Sequence, residues 1–231
     1  MLLEYGAKVI IISRKEILLK EACDELNKFG ECKYVVCDIR NTEQIATVVE
    51  FIKSEFKHLD FLVNNAGGQF PMFAENITEN GWSAVINNNL NGTFFMTKAM
   101  ANAFFIPQKS GNIVNIIANI FRGFPGMAHT GAARAGVDNL TKSLAVEWCK
   151  HNIRINAIAP GIINSSGLDT YEEGVFDFNE IQKTIPMKRL GTNTDVANLV
   201  MFLASSLSSY ITGETIYVDG GHRLSGDLFK F

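Results

Sequence analysis

Three apolar runs in this 231-residue chain end in the same kind of punctuation, and that pattern leaves few folds open. Phe61, Leu62 and Val63 lead into Asn64, Asn65, Ala66 and Gly67, residues 153–159 are closed by Pro160 and Gly161, and Thr215–Val218 is closed by Asp219, Gly220 and Gly221. A strand buried on both faces reads as a continuous apolar stretch, and small residues at its carboxyl end let a ligand approach the backbone. The runs point to a parallel sheet with one functional edge.

The segments between them alternate. Residues 8–13 read as a strand, 15–28 as a helix, 33–37 as a strand, 42–57 as a helix, and the strand at Phe61 follows. A long helix lies within 79–105, then a strand over 112–117, a helix over 131–150 and the strand at 153–159. Residues 161–190 are poorly periodic, with Gly, Ser, Asp and aromatic residues, a length suited to a substrate lid. Thr192 with Asp195 has the spacing of a capping box and opens a helix through Ser205, after which Ile216 starts the last strand. Alternating strands and helices imply right-handed crossovers and a parallel sheet covered on both faces. The expected fold is a single-domain α/β, doubly wound, Rossmann-like sheet.

With 47% hydrophobic residues and a net charge of −3, the chain can bury a large core and offers no basic patch to nucleic acid. A small-molecule partner is expected. Cys23, Cys32, Cys37 and Cys149 have neither C-x-x-C nor His-flanked spacing and read as reduced thiols, with no metal. No apolar run approaches the ~20 residues of a membrane span, and no signal peptide is read before the first strand. The carboxyl-terminal Leu228, Phe229, Lys230 and Phe231 are not a peroxisomal tripeptide. The expectation is a cytoplasmic enzyme.

In order and spacing, Asn64 to Gly67, Asn89 with Gly92, Thr93 and Phe94, the helix from Ala132 to Glu147, Arg154, Asn156, Pro160, Gly161, and Asp219 to Gly221 carry a family likeness. The chain resembles the short-chain dehydrogenases/reductases over essentially its whole length. Within that family the segment from Gly123 to Gly136, with Phe124, Pro125, Gly126, His129, Gly131, Ala132, Ala133 and Arg134, is similar to the trans-2-enoyl-CoA and 2,4-dienoyl-CoA reductase branch. Bacterial relatives of that branch include acyclic terpenoid (citronellol-type) alcohol dehydrogenases.

The likeness has two gaps. Such a fold opens with a strand running into a Gly-rich loop that holds the cofactor pyrophosphate at a helix N-terminus. Here Met1 to Tyr5 reads as the last turn of that helix with Gly6 as its C-cap, so the first strand and loop are expected to be missing. The family places that strand between those at Val9 and Phe61, so its loss would leave a two-stranded piece apart from the rest. An amino-terminally truncated form of a longer protein is expected, with a natural short form as the alternative.

The second gap lies at the proton donor. The family's Ser, Tyr and Lys fall near Ala118, Thr130 and Arg134. In carbonyl reduction a Tyr protonates the alkoxide, its pKa lowered by the neighbouring cation. Reduction of an enoyl thioester C=C instead delivers hydride to Cβ, needs donors for the enolate oxygen, and puts the proton on carbon. The resemblance therefore implies an NADPH-dependent enoyl-CoA reductase. The alternatives are a citronellol-type alcohol dehydrogenase and an inactive fragment or oligomerisation subunit.

Cofactor choice rests on Ser13, Arg14 and Lys15 at the end of the second strand of that fold, where an acidic residue would repel a 2′-phosphate and a cation would accept it. NADP(H) is expected, against the alternative of solvated cations at a helix start. By resemblance Asp38 contacts adenine beside Ile39; Asn65, Ala66, Gly67, Pro160, Gly161 and Ile163 line the dinucleotide; Ser165 meets the carboxamide. The alternatives are a turn-forming Asp38 and a loop Ser165 or Ser166. Asn89 matches the family's catalytic Asn, and Arg134 keeps the cation near the nicotinamide ribose.

Asp138 resembles an Asp of the dienoyl-CoA branch. It also shares a helix face with Arg134 and Lys142, as in a salt-bridge ladder worth roughly 0.3–0.5 kcal/mol per exposed pair. His129 and Asn119 are further polar candidates, or an ordinary loop residue and a turn former. Tyr171, Phe176 and Phe178 line an acyl tunnel or anchor the lid. The two long helices, 79–105 and 131–150, are those with which the family builds dimers and tetramers, so a homo-oligomer is expected.

Overall fold

The computed structural model describes residues 1–165, 168 and 177–225. A 3₁₀ turn, Leu3–Tyr5, is closed by Gly6 at φ +82°, whose N–H donates to the Leu3 carbonyl. Then come β1 (Val9–Ser13), α1 (Glu16–Leu26), β2 (Cys32–Val36), α2 (Thr42–Glu55) and β3 (Phe61–Asn64). One long helical run follows, with α3 (Glu79–Ile86), a π-helical turn at Asn87–Asn91, α4 (Gly92–Met100), a second π turn at Ala101–Phe105, and α5 (Ile106–Gln108). β4 (Gly111–Ile116), α6 (Ala128–Trp148), β5 (Ile153–Pro160) and the short β6 (Ile163–Asn164) come next. α7 (Phe178–Thr184), β7 (Gly191–Thr192), α8 (Asn193–Ala204) and β8 (Thr215–Val218) complete the order.

All strand pairs are parallel. The main sheet has the order β3-β4-β5-β8, β1 pairs only with β2, and β6 pairs with β7. No hydrogen bond joins β1 to β3, so the sheet is broken where the resemblance places a further strand. What holds the two pieces together is α2. Ile45, Val48, Val49 and Ile52 on its inner face share one apolar cluster with Ile10 and Ile12 of β1, Val35 of β2, Leu62 of β3, Ile113 of β4 and Ile155 of β5. On the opposite face the core is divided. Leu3, Cys23 and Cys32 pack with Val9, Ile11 and Tyr34, while Val114, Ile158 and Leu203 pack with Phe61, Ile116 and Ile216.

The break shows in burial. Residues in the middle of β4 and β5 are fully buried, whereas Val9 to Ile12 and Phe61 to Val63 are only half-buried. An isolated strand pair is marginal in water, so β1 and β2 depend on α1 and α2 for their place.

Buried polar groups join the main sheet to its helices. Asn64 donates to Thr97 Oγ1 and to Asn115 Oδ1, both at 2.8 Å, and Asn115 donates to Thr141 Oγ1 at 2.9 Å. This chain ties β3 and β4 to α4 and α6, and each member is satisfied, as burial demands. Arg154 of β5 donates to the carbonyls of Leu203, Ser208 and Ile211, fixing the end of α8.

Two expected boundaries move. α6 begins at Ala128, before the expected 131, although Met127 offers no capping side chain. The helix caps itself from within, because His129 Nδ1 accepts the Thr130 N–H at 2.8 Å, one of the N–H groups a helix start leaves unpaired. The stretch read as a lid contains α7, capped by Asp177, which accepts from Asn179 and Glu180 N–H. Phe178 opens that helix; Ser166, Tyr171 and Phe176 lie outside the described residues. The capping box of Thr192 and Asp195 is present, and Arg189 adds a two-pronged ion pair to the same carboxylate. Among the described residues no helix is long and apolar enough to cross a membrane.

Candidate active site

The carboxyl ends of β3, β4, β5 and β8 bring their small residues to one edge. Gly161 sits so close to the turn after β8 that a Cβ there would lie 2.8 Å from the Asp219 backbone. Only glycine lets these strand ends close together. Asp219 accepts from Asn119, at 3.1 Å, and from the N–H groups of Gly221 and Arg223. Asn119 thus joins the turn after β4 to the turn after β8.

Arg134 enters this edge from α6. One terminal nitrogen donates to the Ile116 carbonyl at 2.9 Å, and Nε is buried with no partner. A Cβ on Gly67 would lie 2.3 Å from the other terminal nitrogen and 2.7 Å from Asn89 Oδ1. Burial pushes the guanidinium down to about 10. Among the described residues no carboxylate pairs with it, so it retains donors for a ligand.

Asn89 is fully buried in the first π turn. It donates to the carbonyls of Gly68, at 2.7 Å, and Val85, at 2.8 Å, and accepts from the Gly68 N–H. Its own carbonyl receives the Thr93 hydroxyl at 2.8 Å. Asn89 therefore anchors the loop after β3, whose residues Asn65, Ala66 and Gly67 are exposed.

The hydroxyl at position 130 faces inward. Thr130 is fully buried, with Oγ1 3.4 Å from His129 Nδ1, and Ala118 carries no hydroxyl. His129 is no loop residue: it is fully buried in the first turn of α6, its ring edge-on to Phe70 at 4.6 Å, with Nε2 unpartnered. Asp138 is engaged elsewhere, since its carboxylate takes the Thr215 hydroxyl of β8 and the Lys142 ammonium. The ladder on this helix face has that one rung, and Arg134 is outside it.

At the other end of the edge, Ser13 ends β1 and Arg14 and Lys15 follow it, and Asp38 and Ile39 follow β2. Arg40 holds Asp38 through Nε at 2.9 Å and a terminal nitrogen at 2.5 Å, and with Arg14 nearby the carboxyl is lowered to about 2. The Asp-x-Arg spacing was the available signal for Arg40. Ile39 points inward, buried against Gly92, where a Cβ would lie 2.7 Å from it. Pro160 and Gly161 end β5, Ile163 lies in β6 and Ser165 just after it. The donor set fits a dinucleotide: cations at Arg14 and Lys15, open backbone at Asn65 to Gly67, and an unpaired buried Nε at Arg134.

The family model described as Enoyl-(Acyl carrier protein) reductase matches residues 1–223. The chain belongs to the short-chain dehydrogenase/reductase family. It is 38% identical over 226 residues to a protein of Bacillus subtilis named probable 2,4-dienoyl-CoA reductase, covering 96% of this chain and 89% of that one. It is also 38% identical over 194 residues to the 3-oxoacyl-[acyl-carrier-protein] reductase of Thermotoga maritima, covering 83% and 77%. Among solved structures, the citronellol catabolism dehydrogenase of Pseudomonas aeruginosa PAO1 superposes with a TM-score of 0.83 at 35% identity, covering 94% and 85%. As a short-chain dehydrogenase/reductase the chain is an oxidoreductase, with the α/β fold that carries a nicotinamide dinucleotide. Relatives named for C=C reduction and for carbonyl reduction both reach 38% identity, the former over 226 residues and the latter over 194, so the reaction is argued from the site.

Proposed function

We propose that this short-chain reductase uses NADPH to reduce the C=C of enoyl-CoA thioesters, trans-2-enoyl or 2,4-dienoyl. The observation that carries the reading is the pairing of a fixed cation, Arg134, with Ala118 and the inward-facing Thr130. Carbonyl reduction calls for an acid of tuned pKa beside the oxygen. A guanidinium that stays charged to about pH 10 is a poor proton donor at neutral pH, but a good hydrogen-bond donor to an oxygen that gains charge. Bound NADPH would supply the hydride, to Cβ of a trans-2-enoyl thioester or to Cδ of a 2,4-dienoyl one. Arg134 would direct its spare N–H groups at the nicotinamide ribose and the thioester enolate oxygen, with the proton reaching carbon from solvent.

The remaining roles follow position. Ser13, Arg14 and Lys15 take the 2′-phosphate, Asp38 and Ile39 flank adenine, and Asn65, Ala66 and Gly67 lie along the dinucleotide. Pro160, Gly161, Ile163 and Ser165 face the carboxamide end. Asn89 holds the floor of the site in shape, and Asp138 fixes α6 to β8 through Thr215. The long helical run and α6 supply the faces for a homo-oligomer, and the enzyme works in the cytoplasm on acyl-CoA.

The test compares NADPH with crotonyl-CoA or a 2,4-dienoyl-CoA against NADP⁺ with citronellol. Thioester-dependent loss of NADPH absorbance, without citronellol oxidation, is expected. The opposite pattern selects the alcohol dehydrogenase, for which the solved citronellol-catabolism relative speaks. No NADPH binding, read by fluorescence, selects a non-catalytic subunit.

A further inference from the structure

All four cysteines are free thiols, and two of them meet. Cys23 lies on the buried face of α1 and Cys32 opens β2; both pack with Leu3 in an apolar cluster separate from the main core. The Cys23 thiol donates to the Cys32 carbonyl at 3.1 Å, nine residues along the chain. Asn27, just after α1, spans the pair: its Oδ1 accepts the Cys32 N–H at 2.8 Å and its Nδ2 lies 3.5 Å from Cys23 Sγ. Burial first, and the hydrogen bond and charge of Cys23 second, push the Cys32 thiol up to about 11. The two sulfurs are therefore neighbours, and joining them asks for side-chain rotation more than backbone travel. The other two thiols stand apart: Cys37 belongs to the main core and Cys149 is exposed after α6.

Their place in the fold decides when they react. While the fold is closed, a buried thiol of raised pKa supplies little of the thiolate that attacks a disulfide. Among the described residues no strand hydrogen bond joins β1 and β2 to the main sheet. The unit of β1, α1 and β2 therefore opens at lower free energy than the core, which returns both thiols to water. We propose that Cys23 and Cys32 are a redox-modification site, closing to a reversible disulfide by exchange with a small-molecule disulfide such as oxidised glutathione. One cysteine thiolate attacks the reagent, forming a mixed disulfide and releasing one glutathione; the other cysteine then displaces the second. Two thiol protons and two electrons pass to the reagent, which leaves as two thiols. On reclosure the bond staples α1 to β2 and so steadies the turn of Ser13 to Lys15 that joins β1 to α1. In a reducing compartment it is transient, made when the unit opens under oxidising conditions and undone by thiol. The site stands whichever substrate the enzyme reduces.

The test uses the full folded chain carrying Cys149→Ser, which removes the exposed thiol that would otherwise take up glutathione. It is incubated with oxidised glutathione, alkylated to trap the remaining thiols, and digested with trypsin for mass spectrometry. Lys28 lies between Cys23 and Cys32, and Lys33 between Cys32 and Cys37, so each thiol falls on its own peptide. The expected product is the 21–28 peptide joined to the 29–33 peptide, with Cys37 alkylated and the link undone by dithiothreitol. In the linked protein the amides of Val9 and Cys37, which pair β1 with β2, exchange about tenfold more slowly. Alkylation of both Cys23 and Cys32, glutathione retained on either without the link, a link to Cys37, or a link that forms only in urea overturns the site. Unchanged exchange in the linked protein overturns the staple.

Discussion

A methyl group on Gly67 would lie 2.3 Å from a terminal nitrogen of Arg134, so the loop after β3 and the cation of α6 are fitted to one another without slack. Gly67→Ala must push the guanidinium aside, since the side chain can move and the backbone around it cannot. The expected variant keeps its stability within about 1 kcal/mol of wild type. Its kcat/KM for crotonyl-CoA falls by about tenfold or more. Urea unfolding beside steady-state kinetics checks both halves, and unchanged kinetics would show that the guanidinium position is immaterial.

Arg134 also sets a pH limit. Burial lowers its folded pKa to about 10, so the folded state holds this proton less tightly than the unfolded chain. The stability penalty of burying the charge is present in full below about pH 10 and is relieved as pH rises from there towards the higher pKa of the unfolded chain. Activity has the opposite dependence, because the hydrogen-bonding cation disappears over the same range. A kcat/KM profile that falls near pH 10, and a different alkaline limb in Arg134→Lys, are the expected results.

Asn89 makes three hydrogen bonds to backbone groups of Gly68 and Val85 from a fully buried position. Asn89→Ala leaves those groups unpaired and is expected to cost about 1–3 kcal/mol. Asn89→Asp keeps only the acceptor for Gly68 N–H and buries a charge, so its denaturant midpoint is expected to fall further. A midpoint for the aspartate variant equal to that of wild type would contradict this geometry.

The open edge of β1 can be read residue by residue. Val9 N–H donates to the Glu31 carbonyl of the β2 side, and parallel pairing alternates, so the N–H groups of Ile10 and Ile12 point away from β2 into the break. Hydrogen exchange should be fast at Ile10 and Ile12 and slow at Ile155, which is fully buried and whose N–H donates to Thr212 Oγ1 at 3.1 Å. Equal protection at the three amides would mean that the edge is covered.

β3, β5 and β8 were legible because each is a short apolar run with a small-residue stop, and the helix at 193 because Thr192 and Asp195 signal locally, whereas the two-residue β6 and β7 are too short to show a pattern. The division of the sheet also followed from the order of the strands. Less local features were hidden. The start of α6 depends on a His inside the helix in place of a cap before it, a device no spacing rule flags. The partner of Asp138 is Thr215, on a strand far along the chain, so a pattern read along one helix could not find it. Thr130 matched the family position of a proton donor, but the burial that turns its hydroxyl inward depends on packing around the first turn of α6.

The two π turns have a consequence for sequence change. Each holds an extra residue within the helical run from Glu79 to Gln108, so the side chains beyond it are rotated about 100° from the phase of an uninterrupted α-helix. Deleting one of Asn87, Asn88 or Asn91 would let the first turn relax to ordinary winding and leave Phe95, Met96 and Met100 facing the core they now fill, whereas a deletion within α4 would swing the residues beyond it away. The two turns are therefore the places in this run where a residue can be lost with the packed face preserved.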